Sequence, residues 1–412
     1  MEKLIAISDL FEISLDELVM DKRPTQMGET SSKSEVAKEL KEKVLTDENK
    51  KNAKKGLKLI FNSLRLMIGR PNNMIFTALQ EEGLMKKVLD TYSSKNDINI
   101  KQIVAYKDNI LEIEEYRDGF QKEDTMNVMS VTKSVTSLLI GIAIDQGLIN
   151  SVDDCVMDYY KEIYTPKRGE QTIFKVTIKH LLTMTAPYKG KSEPWTKVCT
   201  SEDWTLATLD VLGGRKGITN EFRYHTLGVQ ILLGIIRITS GMNVLDFANE
   251  YLFKPLGIEP RSNAGCESKE DQFEYLMNKN DHGKVWFLDP TGMPTAGWGL
   301  SLSAYEMAQI GLLVLNNGVY NNTRIISENW IEMMTKSYIS TDEKFGNQDY
   351  GFLWWFPHRT SEVIAAIGDG GNIIYIDRNN QIVVAITAHF KPMVFDRVEY
   401  IEKNIVEALT ER

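Results

Sequence analysis

Apolar and polar positions change their spacing several times along this chain, and the changes divide it. Residues 1–24 hold a short amphipathic patch, LIAISDLFEISLDELV, that ends at Pro24. Residues 25–56 are rich in lysine and glutamate and carry few large apolar side chains. Such a composition buries little surface, so this stretch reads as a charged linker or a solvated helix. From about residue 57 the pattern becomes that of a packed domain and stays so to residue 412.

Inside that domain the period alternates between strand and helix. Residues 103–106 and 110–116 flank Lys107-Asp108-Asn109 and predict a hairpin. After Ser130, apolar residues at Val131, Val135, Leu138, Leu139 and Ile142 predict a helix, with Gly147 as its C-terminal cap. A mostly helical middle follows, including 178–184, 228–240 and 304–315. Strands return at 373–376 and 382–387 around the turn 377–380, before a terminal helix over about 395–409. Strands near both ends with helices between them predict one sheet built from both ends of the domain, plus a helical insert.

Composition narrows the class. Hydrophobic residues make up 42%, charged 25% and aromatic 9%, which excludes a collagen, a disordered tail or a membrane bundle for the whole chain. The net charge of −9 supplies no global field for nucleic acid. Cys155, Cys199 and Cys266 are odd in number and scattered, which argues against a disulfide framework or structural zinc. His180, His225, His282, His358 and His389 form no HExxH or similar ligand pair, so neither metal nor cofactor is expected. The start lacks the basic and uninterrupted apolar regions of a signal peptide. The apolar run 57–68 is broken by Lys58, Asn62 and Arg65, too short and too charged to span a bilayer. A cytoplasmic protein without a transmembrane segment is the expectation.

The chemistry centres on Ser130 and Lys133 in MSVTKSVTSLLIGIAIDQGLI. Their spacing is one helical turn, so hydroxyl and amine face the same way. A serine hydroxyl needs a nearby base to become a nucleophile, and a lysine in a dry site can share that task. The helix N-terminus favours the anionic intermediate. A structural alternative is a helix start with Ser130 as N-cap. The apolar stretch after Lys133 argues against it, because it buries the helix and a buried lysine needs a reason.

Further segments follow in order: Ser151-Val152-Asp153-Asp154, VTIKHLLTMT at 176–185, Tyr224-His225-Thr226, YLFKPLG at 251–257, AGWGLSLSAYEMAQIGLLVLNNG at 296–318, the aromatic run at 350–355, and Gly368-Asp369-Gly370-Gly371-Asn372. With the Ser130 segment, this series resembles the serine hydrolases related to class C β-lactamases, DD-peptidases and the esterases of that fold. The resemblance runs from about residue 98 to the end of the chain. It implies an α/β (α+β) domain of the β-lactamase/transpeptidase-like kind, occupying 57–412, with an antiparallel sheet, flanking helices and a helical subdomain.

Carried over residue by residue, the resemblance makes Ser130 the acylated nucleophile and Tyr224 the phenol or phenolate that works with Lys133. Lys133 would be the cation that stabilises the charged phenol, and either residue can serve as general base. The backbone N–H groups of Ser130 and Asn372 would form the oxyanion hole. Thr226, Asp369, Gly370 and Gly371 would contact substrate. Trp298, Trp354 and Trp355 would either line an acyl pocket or pack in the core.

Two departures shape the substrate expectation. Thr226 stands where penicillin-recognising members carry asparagine, so the amide donor for a substrate carbonyl is missing. Asp369 stands where they carry the lysine that attracts a substrate carboxylate, unless it is only turn chemistry in Gly-Asp-Gly-Gly. Together these favour esters, or amides neutral or cationic near the scissile bond, over β-lactams. The expected partner is therefore a small ester, amide or peptide-like substrate. A non-catalytic ligand sensor is the rival reading.

Residues 4–19 resemble the last two helices of a Cro/repressor-type helix-turn-helix domain, without the part that enters the major groove. The patch is acidic, with Glu2, Asp9, Glu12, Asp16, Glu17 and Asp21 against Lys3, Lys22 and Arg23, so no nucleic-acid binding is expected of this chain.

Overall fold

In the computed structural model, which describes residues 99–265, 271, 275, 283–391 and 394–411, the expected hairpin is present. Strands β1 (Ile100–Lys107) and β2 (Ile110–Tyr116) are joined by Asp108 and Asn109. Their φ angles of 51° and 63° are what a two-residue hairpin turn with the sheet's own twist requires. The expected helix-turn-helix stub at 1–24, the linker at 25–56 and residues 57–98 of the expected hydrolase domain lie outside the described residues.

Six more strands complete the sheet: β3 (Ile339–Ser340), β4 (Asp349–Tyr350), β5 (Trp355–Phe356), β6 (Val363–Gly368), β7 (Asn372–Asp377) and β8 (Ile382–Ala388). Their order is β2-β1-β8-β7-β6-β5-β4-β3, with every neighbouring pair antiparallel. β1 lies beside β8, so the first and last of the described strands meet. Being central, β1 is buried almost throughout and reads IKQIVAYK rather than alternating, whereas β2, the edge among the described strands, is mostly exposed and carries Glu112, Glu114 and Glu115.

A buried amide ties this junction together. Gln102 on β1 donates to the carbonyls of Gln121 (2.6 Å) and Asp124 (3.0 Å), and its Oε1 accepts from Ala304 N–H and Thr387 Oγ1 (both 2.8 Å). A fully satisfied buried amide of this kind selects one register, because any slip strands it.

Helix α1 (Val131–Asp145) packs along β6 and β7 and is buried from Val131 through Ala143. It ends as expected, with Gly147 left-handed and the Leu148 N–H closing on the Ala143 carbonyl. The helical insert follows, a string of short helices that includes α2 (Gln230–Ser240), entered through a 3-10 turn at Leu227–Val229. Helix α3 (Ala304–Leu315) begins in a Ser303–Glu306 capping box and lies against β1, β7 and β8. Ile374 on β7 faces α3 at Gly311, while the next residue, Tyr375, donates its hydroxyl to Glu402 in the closing helix (3.3 Å). Successive strand residues point to opposite faces, so the sheet is covered on both sides. Among the described residues no single helix is long and apolar enough to cross a membrane.

Candidate active site

Ser130 sits at the head of α1, where the backbone turns sharply out of a short strand, Met126–Asn127. Met129 takes φ of 52°, a left-handed conformation unusual for a side chain of its size and held in place by a hydrogen bond from its N–H to Asn127 Oδ1 (3.0 Å). Ser130 has helical dihedrals and its hydroxyl makes no capping bond. Instead Lys133 Nζ donates to Ser130 Oγ at 2.8 Å and to the Gly297 carbonyl at 2.7 Å. The N-cap alternative is thereby displaced, since the hydroxyl is turned to the amine rather than to the helix.

Lys133 is 1% exposed, on a helix whose other buried residues are apolar or small. Gly297 comes from the AGWGL segment and lies between Thr226 and Lys133. A Cβ there would stand 2.6 Å from the Thr226 methyl and 3.4 Å from Lys133 Nζ, so only glycine lets this carbonyl reach the amine.

Tyr224 closes the constellation. Its ring stacks on Trp355 at 5.8 Å and meets Phe345 at 5.5 Å, with Lys133 Nζ 5.0 Å from its centroid. Burial pushes its pKa well above the ordinary tyrosine value, a hydrogen bond with Ser130 opposes this, and the carboxylates of Asp369 and Glu193 raise it further. Of the two expected forms, phenol and phenolate, burial and the two carboxylates favour the phenol.

Glu193 carries no sequence signal, lying alone between Ser192 and Pro194. Its Oε2 accepts from Leu227 N–H (2.8 Å) and stands 3.7 Å from His225 Nδ1. His225 is stacked flat on Tyr188 at 3.6 Å and accepts from Gly228 N–H at 3.0 Å. That hydrogen bond makes Nδ1 the acceptor and leaves the ring neutral; burial lowers its pKa to about 4.

The unfolded chain takes up this proton near the ordinary value of 6.5, the folded chain only near 4, so falling pH favours unfolding across that interval. The stability gap between wild type and His225→Gln is expected to narrow by on the order of 3 kcal/mol from pH 7 to pH 4. Denaturant titrations across this range measure it, and a constant gap would contradict the assignment.

The remaining expected residues divide. Asp369 is half-buried and close enough to act on Tyr224. Thr226 opens the turn into α2, its methyl against Gly297. Asn372 is fully buried, with Nδ2 donating to the carbonyls of Asp369 (2.9 Å) and Ala388 (3.2 Å) and Oδ1 accepting from Ala388 N–H (3.0 Å). Gly370 and Gly371 take φ of 84° and 87° in the turn between β6 and β7. Trp354 and Trp355 are core residues at 0% and 2% exposure, so of the three tryptophans only Trp298 keeps open surface, packed on Phe287 at 4.8 Å.

Compared with known families, the chain matches the one described as Beta-lactamase over residues 117–406. A 6-aminohexanoate-dimer hydrolase of Paenarthrobacter ureafaciens is 24% identical over 297 residues, covering 67% of this chain and 69% of that protein. Among solved structures, the octameric penicillin-binding protein homologue from Pyrococcus abyssi superposes with a TM-score of 0.57 at 21% identity, over 80% of this chain and 77% of that one. EstCE1, a hydrolase with promiscuous acyltransferase activity, gives a TM-score of 0.55 at 15% identity, over 73% and 90%.

Proposed function

The chain belongs to the β-lactamase family, and on that footing we propose that it hydrolyses esters or amides through an acyl-Ser130 intermediate. The observation that carries this reading is the 2.8 Å contact between Lys133 Nζ and a Ser130 hydroxyl that caps nothing. Lys133, acting as the neutral amine, takes the Ser130 proton as Oγ attacks the carbonyl carbon. The Ser130 N–H, at the positive end of α1, stabilises the oxyanion. Tyr224, protonated by its burial, gives its proton to the leaving group and recovers one from Lys133. Water then enters by the reverse relay, releases the acid and restores Ser130.

Two carboxylates, Asp369 and Glu193, flank the proton relay. They favour substrates neutral or cationic near the scissile bond and disfavour the carboxylate of a β-lactam. The relative named as a 6-aminohexanoate-dimer hydrolase supports an amide as substrate. The scattered cysteines suit a cytoplasmic placement.

A panel of short-chain esters, D-amino-acid amides and β-lactams tests the proposal. Steady product release is expected on esters or amides; one product equivalent followed by silence would instead mark a ligand sensor. In the same panel Asp369→Lys is expected to lower KM for carboxylate-bearing β-lactams about tenfold, because one unit charge is exchanged for its opposite near the ligand. An unchanged KM would remove the charge argument at this position.

A further inference from the structure

Tyr224 stands on a stretch without regular structure: residues 213–225 form neither helix nor strand, and Asn220 within it turns left-handed at φ 55°. No backbone ladder fixes the phenol, so its place is set by what its neighbours touch. Both touch Tyr188. Arg223 donates from Nη1 to the Tyr188 carbonyl (2.9 Å) and from Nη2 to the Gly190 carbonyl (2.7 Å), and its guanidinium carbon is 5.5 Å from the centre of the Tyr188 ring. His225 lays its imidazole on the same ring, with 3.6 Å between centroids and 8° between planes. The backbone of the same two residues is held nearby, Arg223 N–H donating to the Met184 carbonyl (2.6 Å) and His225 N–H to Met184 Sδ (3.4 Å).

Tyr188 is itself anchored. On either side of it, Gly213 N–H donates to the Pro187 carbonyl (2.9 Å) and Lys189 N–H to the Val211 carbonyl (2.8 Å). Tyr188 is 8% exposed, and its hydroxyl lies against Gly228, where a Cβ would stand 1.8 Å from Oη. A larger residue at 228 would push the ring aside, so the turn that follows Tyr224 is shaped around this one side chain.

We propose that Tyr188 is a positioning residue for the proton donor: by holding Arg223 and His225 together it fixes the backbone of Tyr224, and with it the reach of the phenol to the leaving group. The inference rests on the acyl-Ser130 reading above. A misplacement of about 1 Å costs on the order of 100-fold in rate. Only a reaction that needs the proton feels this loss.

Two esters of one acid separate the cases. p-Nitrophenyl butyrate releases a stable anion, whereas ethyl butyrate needs a proton on its oxygen as the bond breaks. For both, kcat/KM, or the burst rate where deacylation is slow, reports acylation. Tyr188→Leu removes the stacked ring and is expected to lower acylation by ethyl butyrate about 100-fold, but by p-nitrophenyl butyrate no more than about threefold. Tyr188→Phe keeps the ring and is expected to restore ethyl butyrate to within about threefold of wild type. A Tyr188→Leu enzyme that loses both esters equally, or neither, overturns the positioning role, because general damage to the fold does not discriminate between leaving groups. Should it fail to fold, Arg223→Met, which drops the guanidinium and keeps the stem, is read the same way. Wild type acylated by p-nitrophenyl butyrate alone overturns Tyr224 as donor, and this inference with it. A wild-type chain acylated by neither ester overturns the acyl-Ser130 reading itself, a result distinct from wild-type acylation whose leaving-group dependence Tyr188→Leu does not change.

Discussion

Ser130→Ala is expected to reduce turnover of the best ester or amide by roughly 10⁵- to 10⁶-fold, the scale on which removing a catalytic serine acts, while leaving KM and the fold close to wild type. Only Oγ is lost. Lys133 Nζ keeps its bond to the Gly297 carbonyl, the helix loses no cap, and the half-buried site gains little empty volume. Labelling by a fluorophosphonate should vanish with activity. Mass spectrometry of the labelled wild type should place the adduct on the peptide carrying Ser130. An adduct on another residue, or labelling that survives the substitution, would sink the assignment of the nucleophile.

Lys133→Met is expected to cost about 10³-fold in kcat and in labelling rate, within the range for loss of a positioned acid–base group. Its effect on stability should be small, which separates the two roles of the side chain. Lys133 is 1% exposed, and methionine fills nearly the same volume without a buried amine. Against this, the Gly297 carbonyl loses its 2.7 Å donor, which costs about 1–3 kcal/mol if nothing replaces it. The two effects oppose each other, so a melting temperature within a few degrees of wild type should accompany the collapse in rate. A variant that keeps a tenth of the wild-type labelling rate would show that Lys133 is structural and that Ser130 is activated by another group.

Much of this was legible in the residues. The hairpin around Lys107-Asp108-Asn109, the helix from Val131 to its Gly147 cap and the 304–315 helix all follow from local spacing, with the turn narrowed to Asp108-Asn109 because Lys107 pairs with Ile110. Ser130 and Lys133 are one helical turn apart, so their meeting is a local event that sequence can specify. The family resemblance added Tyr224, which no spacing connects to Ser130.

What the residues left open had a shared cause. Whether Tyr224 favours phenol or phenolate follows the sum of burial and every nearby charge, including Glu193, which the chain brings in from an unmarked loop. Trp354 and Trp355 were open between pocket and core, and packing buries both, Trp355 with its ring on Tyr224.

By itself, then, the sequence determined the elements, the candidate nucleophile with its amine, and the family, because these depend on contacts within a helical turn or on a long ordered series of short segments. Only the tertiary structure decided which carbonyl holds Lys133 and that Asp369 and Glu193 come near Tyr224. Gly297 reaches Lys133 across 164 positions, and Arg397 reaches Asn99 across 298. Contacts that distant follow from how the sheet closes on itself, and no local pattern of residues encodes them.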